Sequence, residues 1–213
     1  MSEGPAPPGT RRPGGRTART RAAVLAAVLS ELEDVGYGAL TVEGVARRSG
    51  VHVTTVYRRW RSVEGLVVDL MNTIGSREIP LPDHGSLAAD LRGLARGIVN
   101  LYLNDARTRA LFDTMVVAAT RNPDAAVAMA RFFELRNEAA GVIVERAVER
   151  GELARETDKS EVIAAVGAPL YYRMIVARRP LDLDLADQAA RAACLAAENG
   201  VFTSSSQPAA QHP

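Results

Sequence analysis

Thr41-Val-Glu-Gly-Val-Ala-Arg-Arg-Ser-Gly50-Val-His-Val-Thr-Thr-Val-Tyr-Arg-Arg-Trp60-Arg-Ser-Val-Glu-Gly-Leu66 is the stretch whose reading decides the fold. Thr41 is an N-cap residue type, and Val42, Val45 and Ala46 behind it fall on one helical face. Gly50 stands where a helix that ends in a sharp turn needs positive φ. A second helix starts near His52, and Val51, Val56 and Trp60 give it apolar positions facing the first across the turn. Both helices are shorter than the ~12 to 15 residues at which an isolated helix becomes marginal in water, so a third must support them. Residues 20–36 supply it: Val24, Leu25, Val28, Leu29, Leu32 and Val35 recur at helical spacing until Gly36 and Gly38 stop the run.

A three-helix unit of this kind leaves the start of its last helix free. His52, Val53, Thr54 and Thr55 occupy that end, where Thr can bond base edges or touch a thymine methyl and His can donate or accept. Tyr57, Arg58, Arg59 and Arg61 follow with hydroxyl and guanidinium donors suited to phosphate oxygens, which set register rather than sequence. Tyr57 and Trp60 can equally be core aromatics, and Arg47 and Arg48 a solvated face. His52 has no Cys, Asp or second His at ligand spacing, so no metal is expected.

The order from Leu40 to Leu66 resembles the DNA-binding motif of the tetracycline-repressor (TetR) family of bacterial transcriptional regulators, a likeness covering roughly residues 18 to 72. Thr41, Ala46, Gly50, Val51, Tyr57, Trp60, Ser62, Glu64 and Leu66 carry it. Two residues depart from the pattern: Val63 replaces the family's Lys after Ser, and His52 replaces a small polar residue at the opening of the recognition helix. The likeness implies that Thr41 and Tyr57 also touch phosphate, and that Arg61 substitutes for the missing Lys.

Charge distribution agrees with a DNA-facing N-terminus. Residues 1–61 hold 10 Arg and 5 acidic residues, a balance of +5, whereas the remainder carries −4, for a net charge of +1 over 213 residues. Arg11, Arg12, Arg16 and Arg19 precede the first helix as a basic arm able to lie along phosphates or in a minor groove. That arm, residues 1–17, is Pro- and Gly-rich and expected to be disordered, as is the Ser-, Pro- and Gln-containing tail, 203–213. The single Cys194 excludes an internal disulfide. No apolar run reaches the ~18 residues of a membrane span, and no signal-peptide core is visible, so the cytoplasm is the expected location and no membrane partner is expected.

The rest reads as helix. Residues 18–78 form the reading head, whose last helix opens at Ser62. Residues 79–202 form a body with helices opened by Ser86, near residue 106, at Pro123, at Thr157 or Asp158, and near residue 184. The expected fold class is all-α with about nine helices. Phe112, Met115, Met129, Phe133, Tyr171, Tyr172 and Met174 are large or adaptable side chains that could wall an apolar pocket, with Asn137 or Arg173 as polar handles. The TetR likeness implies such a pocket for a small-molecule effector, and a homodimer built from the two C-terminal helices. Ala164, Ala168, Ala189, Ala193, Ala196 and Ala197 line those helices and permit close approach. A dimer also suits a palindromic double-stranded operator, whose half-sites lie ~34 to 36 Å apart.

The function expected is sequence-specific transcriptional regulation, a repressor released when its effector shifts the population of conformations. The enzyme class has little support: His52, His84 and His212 lie in the motif, a linker and the tail. No nucleophile elbow, phosphate-binding Gly loop or cofactor motif is present, so no cofactor is expected. An architectural DNA-binding protein without ligand control is the other open class.

Overall fold

Local capping chemistry sets most element boundaries in the computed structural model, which describes residues 15–203. The first helix, α1 (Arg16–Val35), ends at Gly36, whose φ is 73°. A 3-10 turn, Tyr37–Ala39, leads to α2 (Val42–Ser49), where the Thr41 hydroxyl accepts the Gly44 N–H at 3.0 Å. Gly50 is left-handed at φ 67°, a conformation that costs glycine little, and the chain enters α3 (Val53–Trp60) through His52. Ser62 caps α4 (Val63–Glu78) by accepting the Gly65 N–H.

The body follows the same logic. Ser86 caps α5 (Leu87–Asn104), Asp105 caps α6 (Ala106–Ala119), and Asn122 caps α7 (Pro123–Ala140) with proline at its first position. Gly141 separates α7 from α8 (Val142–Glu149), yet its φ of −54° and ψ of −24° keep the path nearly helical. Asp158 caps α9 (Lys159–Tyr171), and Asp182 caps α10 (Leu183–Glu198). There are thus ten α segments among the described residues, α7 and α8 dividing the run expected as one, and no β-strand beyond an isolated bridge between Thr157 and Thr203.

Pro169 lies inside α9, where it lacks an N–H and crowds the carbonyl four residues before it. A wide turn follows at Tyr172–Val176, with the Ala177 N–H bonded to the Tyr172 carbonyl five residues back at 2.9 Å.

Two expected boundaries move. The arm was expected to run to residue 17, but helix begins at Arg16; residues 1–14, with Arg11 and Arg12, and the Arg16 side chain lie outside the described residues. The tail was expected from residue 203, but Thr203 pairs with Thr157 and its N–H bonds the Gly200 carbonyl at 3.2 Å; residues 204–213 lie outside the described residues.

Two apolar cores organise the helices. One, in the body, joins α5, α8, α9 and α10. The other packs α1 to α4 around Val24, Val28, Val45, Val56, Trp60 and Leu66, then continues through Leu111, Met115, Ala125, Ala128, Met129 and Phe132 of α6 and α7. The reading head is therefore seated on α6 and α7 by a shared core, and α4 is the element that leaves the head and packs against the body.

Candidate nucleic-acid interface and effector chamber

The head is held by a polar hub at Asp69 of α4. Its carboxylate accepts the Trp60 indole N–H at 2.7 Å and the Arg21 Nε–H at 3.0 Å, with a second Arg21 contact through Nη2, which also meets Thr73. Burial alone would raise the Asp69 carboxyl, but the hydrogen bonds from Arg21 and Trp60 together with the Arg21 charge hold it below the usual carboxylate range. Trp60 is thus the core reading of that residue, buried and tied to α4, with the Arg59 guanidinium 5.1 Å above its ring.

Val56 and Trp60 take the inner face of α3, leaving His52, Thr54, Tyr57 and Arg58 exposed along the other face, with Arg61 exposed just past its end. Thr55 is half-buried between the two faces. His52 Nδ1 and Thr54 Oγ1 share a hydrogen bond of 2.9 Å that orients the helix start. The Tyr57 hydroxyl donates to Glu43 of α2 at 2.9 Å, which pushes its ionisation upward and keeps it a neutral donor. Among the described residues, then, four to five donor-bearing side chains share one exposed edge, as groove docking requires.

Of the other expected DNA-facing residues, Val53 is placed differently, while Thr41 and Arg19 are exposed with a polar group already engaged. Val53 is half-buried and leans on the head's core, since an apolar side chain next to Val56 gains by burial. The Thr41 hydroxyl is engaged as the α2 cap, and the Arg19 Nε–H is bonded to the Gly15 carbonyl at 3.0 Å. Arg48, read as a solvated face, is exposed and also ion-paired to Glu31 and Asp34 of α1, each at 2.7 Å.

A cavity of about 350 Å³ lies between the two cores, within the range of small-molecule sites. Phe112, Phe133, Asn137, Tyr171 and Met174 line it. The phenyl rings form a cluster in which Phe112 stacks on Tyr171 at 5.6 Å and Phe133 meets Tyr171 edge-on at 5.1 Å. Enclosure by protein pushes the Tyr171 hydroxyl up to about 12, against the opposing pull of the Arg136 charge.

Other expected pocket residues lie elsewhere. Met115 and Met129 are buried in the seam between head and body, because the head's core extends into α6 and α7. Tyr172 is 62% exposed, because the wide turn after Pro169 carries it outward. The polar handle is also not where it was expected: besides Asn137 the wall carries Arg136 and Tyr102, and Arg173 is not part of it. A guanidinium three and four positions after Phe133 and Phe132 on α7 was the available signal. Met71, Ile74 and Gly75 of α4, with Ile79 just past its end, complete the wall, so the head's connecting helix is itself part of the chamber.

The small-residue stripe needs the largest correction. Ala189, Ala193 and Ala197 are buried within the chain, where α10 packs between α5 and α9, and Ala196 is half-buried. Their small size serves this internal approach. Ala164 and Ala168 line the chamber, Ala168 at its exposed side. The exposed residues of α10 are instead Gln188, Arg191, Ala192 and Leu195, among others, and Tyr172 and Val176 are exposed on the turn after α9.

A helix-turn-helix head seated on a helical body is the architecture of a DNA-binding transcriptional regulator. A sequence model of the tetR family of bacterial regulatory proteins matches residues 24–70, and one of the tetracyclin repressor-like C-terminal domain matches residues 81–193. The HTH-type transcriptional regulator AqdR of Rhodococcus erythropolis is 33% identical over 152 residues, covering 71% of this chain and 72% of that protein. The HTH-type transcriptional regulator Rv1556 of Mycobacterium tuberculosis is 31% identical over 163 residues, covering 76% and 79%. The crystal structure of the TetR family transcription regulator SCO0332 superposes with a TM-score of 0.66 at 26% identity, covering 83% of this chain and 97% of that one.

The chain belongs to the TetR family of helix-turn-helix transcriptional regulators, which bind DNA and are not enzymes. No helix among the described residues is long and apolar enough to cross a membrane, and no cluster of three or more metal-ligating side chains occurs among them.

Proposed function

We propose that the protein is a homodimeric repressor that binds a palindromic operator and is released by a small apolar or amphipathic effector held in the chamber. The observation that carries this reading is the wall contributed by α4: a molecule seated against Met71, Ile74 and Gly75 touches the helix that bears the reading head. An effector that prefers one placement of α4 changes operator affinity by its differential binding, commonly ~1 to 3 kcal/mol per such coupling.

In this reading His52, Thr54 and Thr55 address base edges, while Tyr57, Arg58, Arg61 and the basic residues around Arg16 and Arg19 address phosphate. The partner subunit packs on the outward surface of α9 and α10. A purified dimer should shift the DNA upstream of its own gene in a sequence-specific manner, and a screen of small molecules against that labelled complex should find releasing compounds. A specific shift that no small molecule reverses leaves the ligand-free architectural class; absence of any sequence preference ends the regulator reading.

The two groups of DNA-facing residues are separable. Tyr57→Phe is expected to weaken binding to every sequence alike by about tenfold, the worth of one hydrogen bond to a charged phosphate oxygen at roughly 1.5 kcal/mol. Thr54→Ala is expected to relax discrimination at one position of each half-site by about 1 kcal/mol, read by competition with single-base operator variants. Equal losses on all sequences from both substitutions would overturn the division of roles.

A further inference from the structure

The chamber has one charged side chain in its wall among the described residues, Arg136 of α7. A guanidinium carries five N–H donors and stays charged, so it calls for acceptors. No described carboxylate lies within ion-pair distance of it, and its hydrogen bond to Ser76 Oγ of α4, at 3.5 Å, is at the outer limit of such a bond. Burial pulls its ionisation downward, the direction expected of a cation without a counter-ion. Several arginines buried less deeply are matched by carboxylates: Arg21 by Asp69, Arg96 by Asp187 and Arg107 by Glu33.

Arg136 also sits beside the ring cluster. Phe132 and Phe133 precede it on the same helix by one turn, and Phe133 meets Phe112 edge-on at 6.3 Å while Phe112 stacks on Tyr171. Rings arranged edge-on and stacked accept a further ring in either mode, and that wall is contiguous with the cation.

We propose that the effector is a compact aromatic anion, its charged oxygens taken by the Arg136 guanidinium fork and its ring laid against Phe112, Phe133 and Tyr171. The proposal rests on the reading of the chamber as the effector site and names its chemistry. A carboxylate accepts two parallel N–H bonds from such a fork, and the water-poor surroundings strengthen them. It also assigns a route for release. Arg136 lies against α4 at Gly75, where an added Cβ would come within 3.4 Å of its side chain, and bonds Ser76 next door. An oxyanion that draws the guanidinium inward loosens that hold on α4, the helix that carries the head.

The test uses the full chain and a neutral fluorescent reporter, N-phenyl-1-naphthylamine, displaced by either of two matched competitors, 2-naphthoate and 2-naphthamide. The acid is expected to displace the reporter at about tenfold lower concentration than the amide, as a charge-assisted bidentate contact outweighs a neutral one. In Arg136→Met, and in the polar control Arg136→Gln, that gap is expected to close while reporter affinity stays within about twofold. Equal displacement by acid and amide in the natural chain overturns the anion proposal and leaves the chamber reading standing, as does a gap that persists in both variants. A chain that takes up no reporter and no naphthoate ends both.

Discussion

A Tyr172→Asp, Leu195→Arg double variant is expected to sediment as a folded monomer and to lose operator affinity by about two to four orders of magnitude, the range by which linking two binding modules exceeds one alone. Both side chains are exposed large hydrophobics, Tyr172 on the turn after α9 and Leu195 on α10, 62% and 53% accessible, and neither belongs to the body's core. Exposed apolar side chains gathered on one surface mark interaction sites. Placing charges there leaves the internal packing of Ala189, Ala193 and Ala197 untouched, so helical content by circular dichroism should match the unaltered protein. The proposed interface fails if the variant remains dimeric by sedimentation equilibrium. Ala193→Asp is the contrasting control: it is expected to unfold the body rather than merely separate subunits, since a buried unpaired charge has no compensation.

Asp69→Ala is expected to produce the largest loss of stability in the head. The substitution leaves the Trp60 indole N–H without its acceptor and the Arg21 guanidinium without its carboxylate. Stranding a partly buried donor and a partly buried cation costs roughly 2 to 4 kcal/mol, discounted from fully buried pairs because both side chains keep some access to water. At about 2 to 4 °C per kcal/mol for a chain of this size, the expected fall in Tm is roughly 5 to 15 °C. Trp60 is the chain's one tryptophan, so its fluorescence reports the head directly.

The pH dependence of the same hub has a definite sign. The folded-state ionisation of Asp69 is depressed, so its contribution is fully present above the ordinary carboxylate value of 3.8 and is lost as pH falls through the folded value below it. In the natural chain the tryptophan-monitored stability should therefore decline below about pH 4, and Asp69→Ala should show a shallower decline there. A parallel acid limb in both proteins would remove Asp69 from that role.

Elements closed by short-range chemistry were legible from the chain alone. Thr41, Ser62 and Ser86 each cap a helix through an N–H three residues on, and Gly50 takes the left-handed turn between α2 and α3. Those signals act over a few residues, so spacing in sequence is nearly spacing in space. The exposed edge of α3 was legible for the same reason: Val56 and Trp60 claim the inner face, and His52, Thr54, Tyr57 and Arg58 must then face out. Val53 shows the limit, since whether a residue at the boundary of two faces packs or projects depends on what is opposite it.

The chamber and the subunit surface were legible only in part. Phe112, Phe133, Asn137, Tyr171 and Met174 reach one cavity, but Met115 and Met129, equally suited by residue type, are taken up by the head's extended core. An alanine stripe looks the same whether it faces another part of its own chain or a second subunit. Here α5 fills the position against α10 and settles Ala189, Ala193 and Ala197 inside.

Sequence by itself determined most of the helices, the caps at Thr41, Ser62 and Ser86, the family and the exposed face of α3, because each of these is written in periodicities and spacings of a few residues. Only the tertiary structure decided which methionines pack and which aromatics wall a cavity, that Arg136 stands in it with no described carboxylate within ion-pair distance, and which side of α10 is left open. Those outcomes turn on which distant helices occupy each face, and burial and desolvation act on neighbours in space that helical periodicity does not identify.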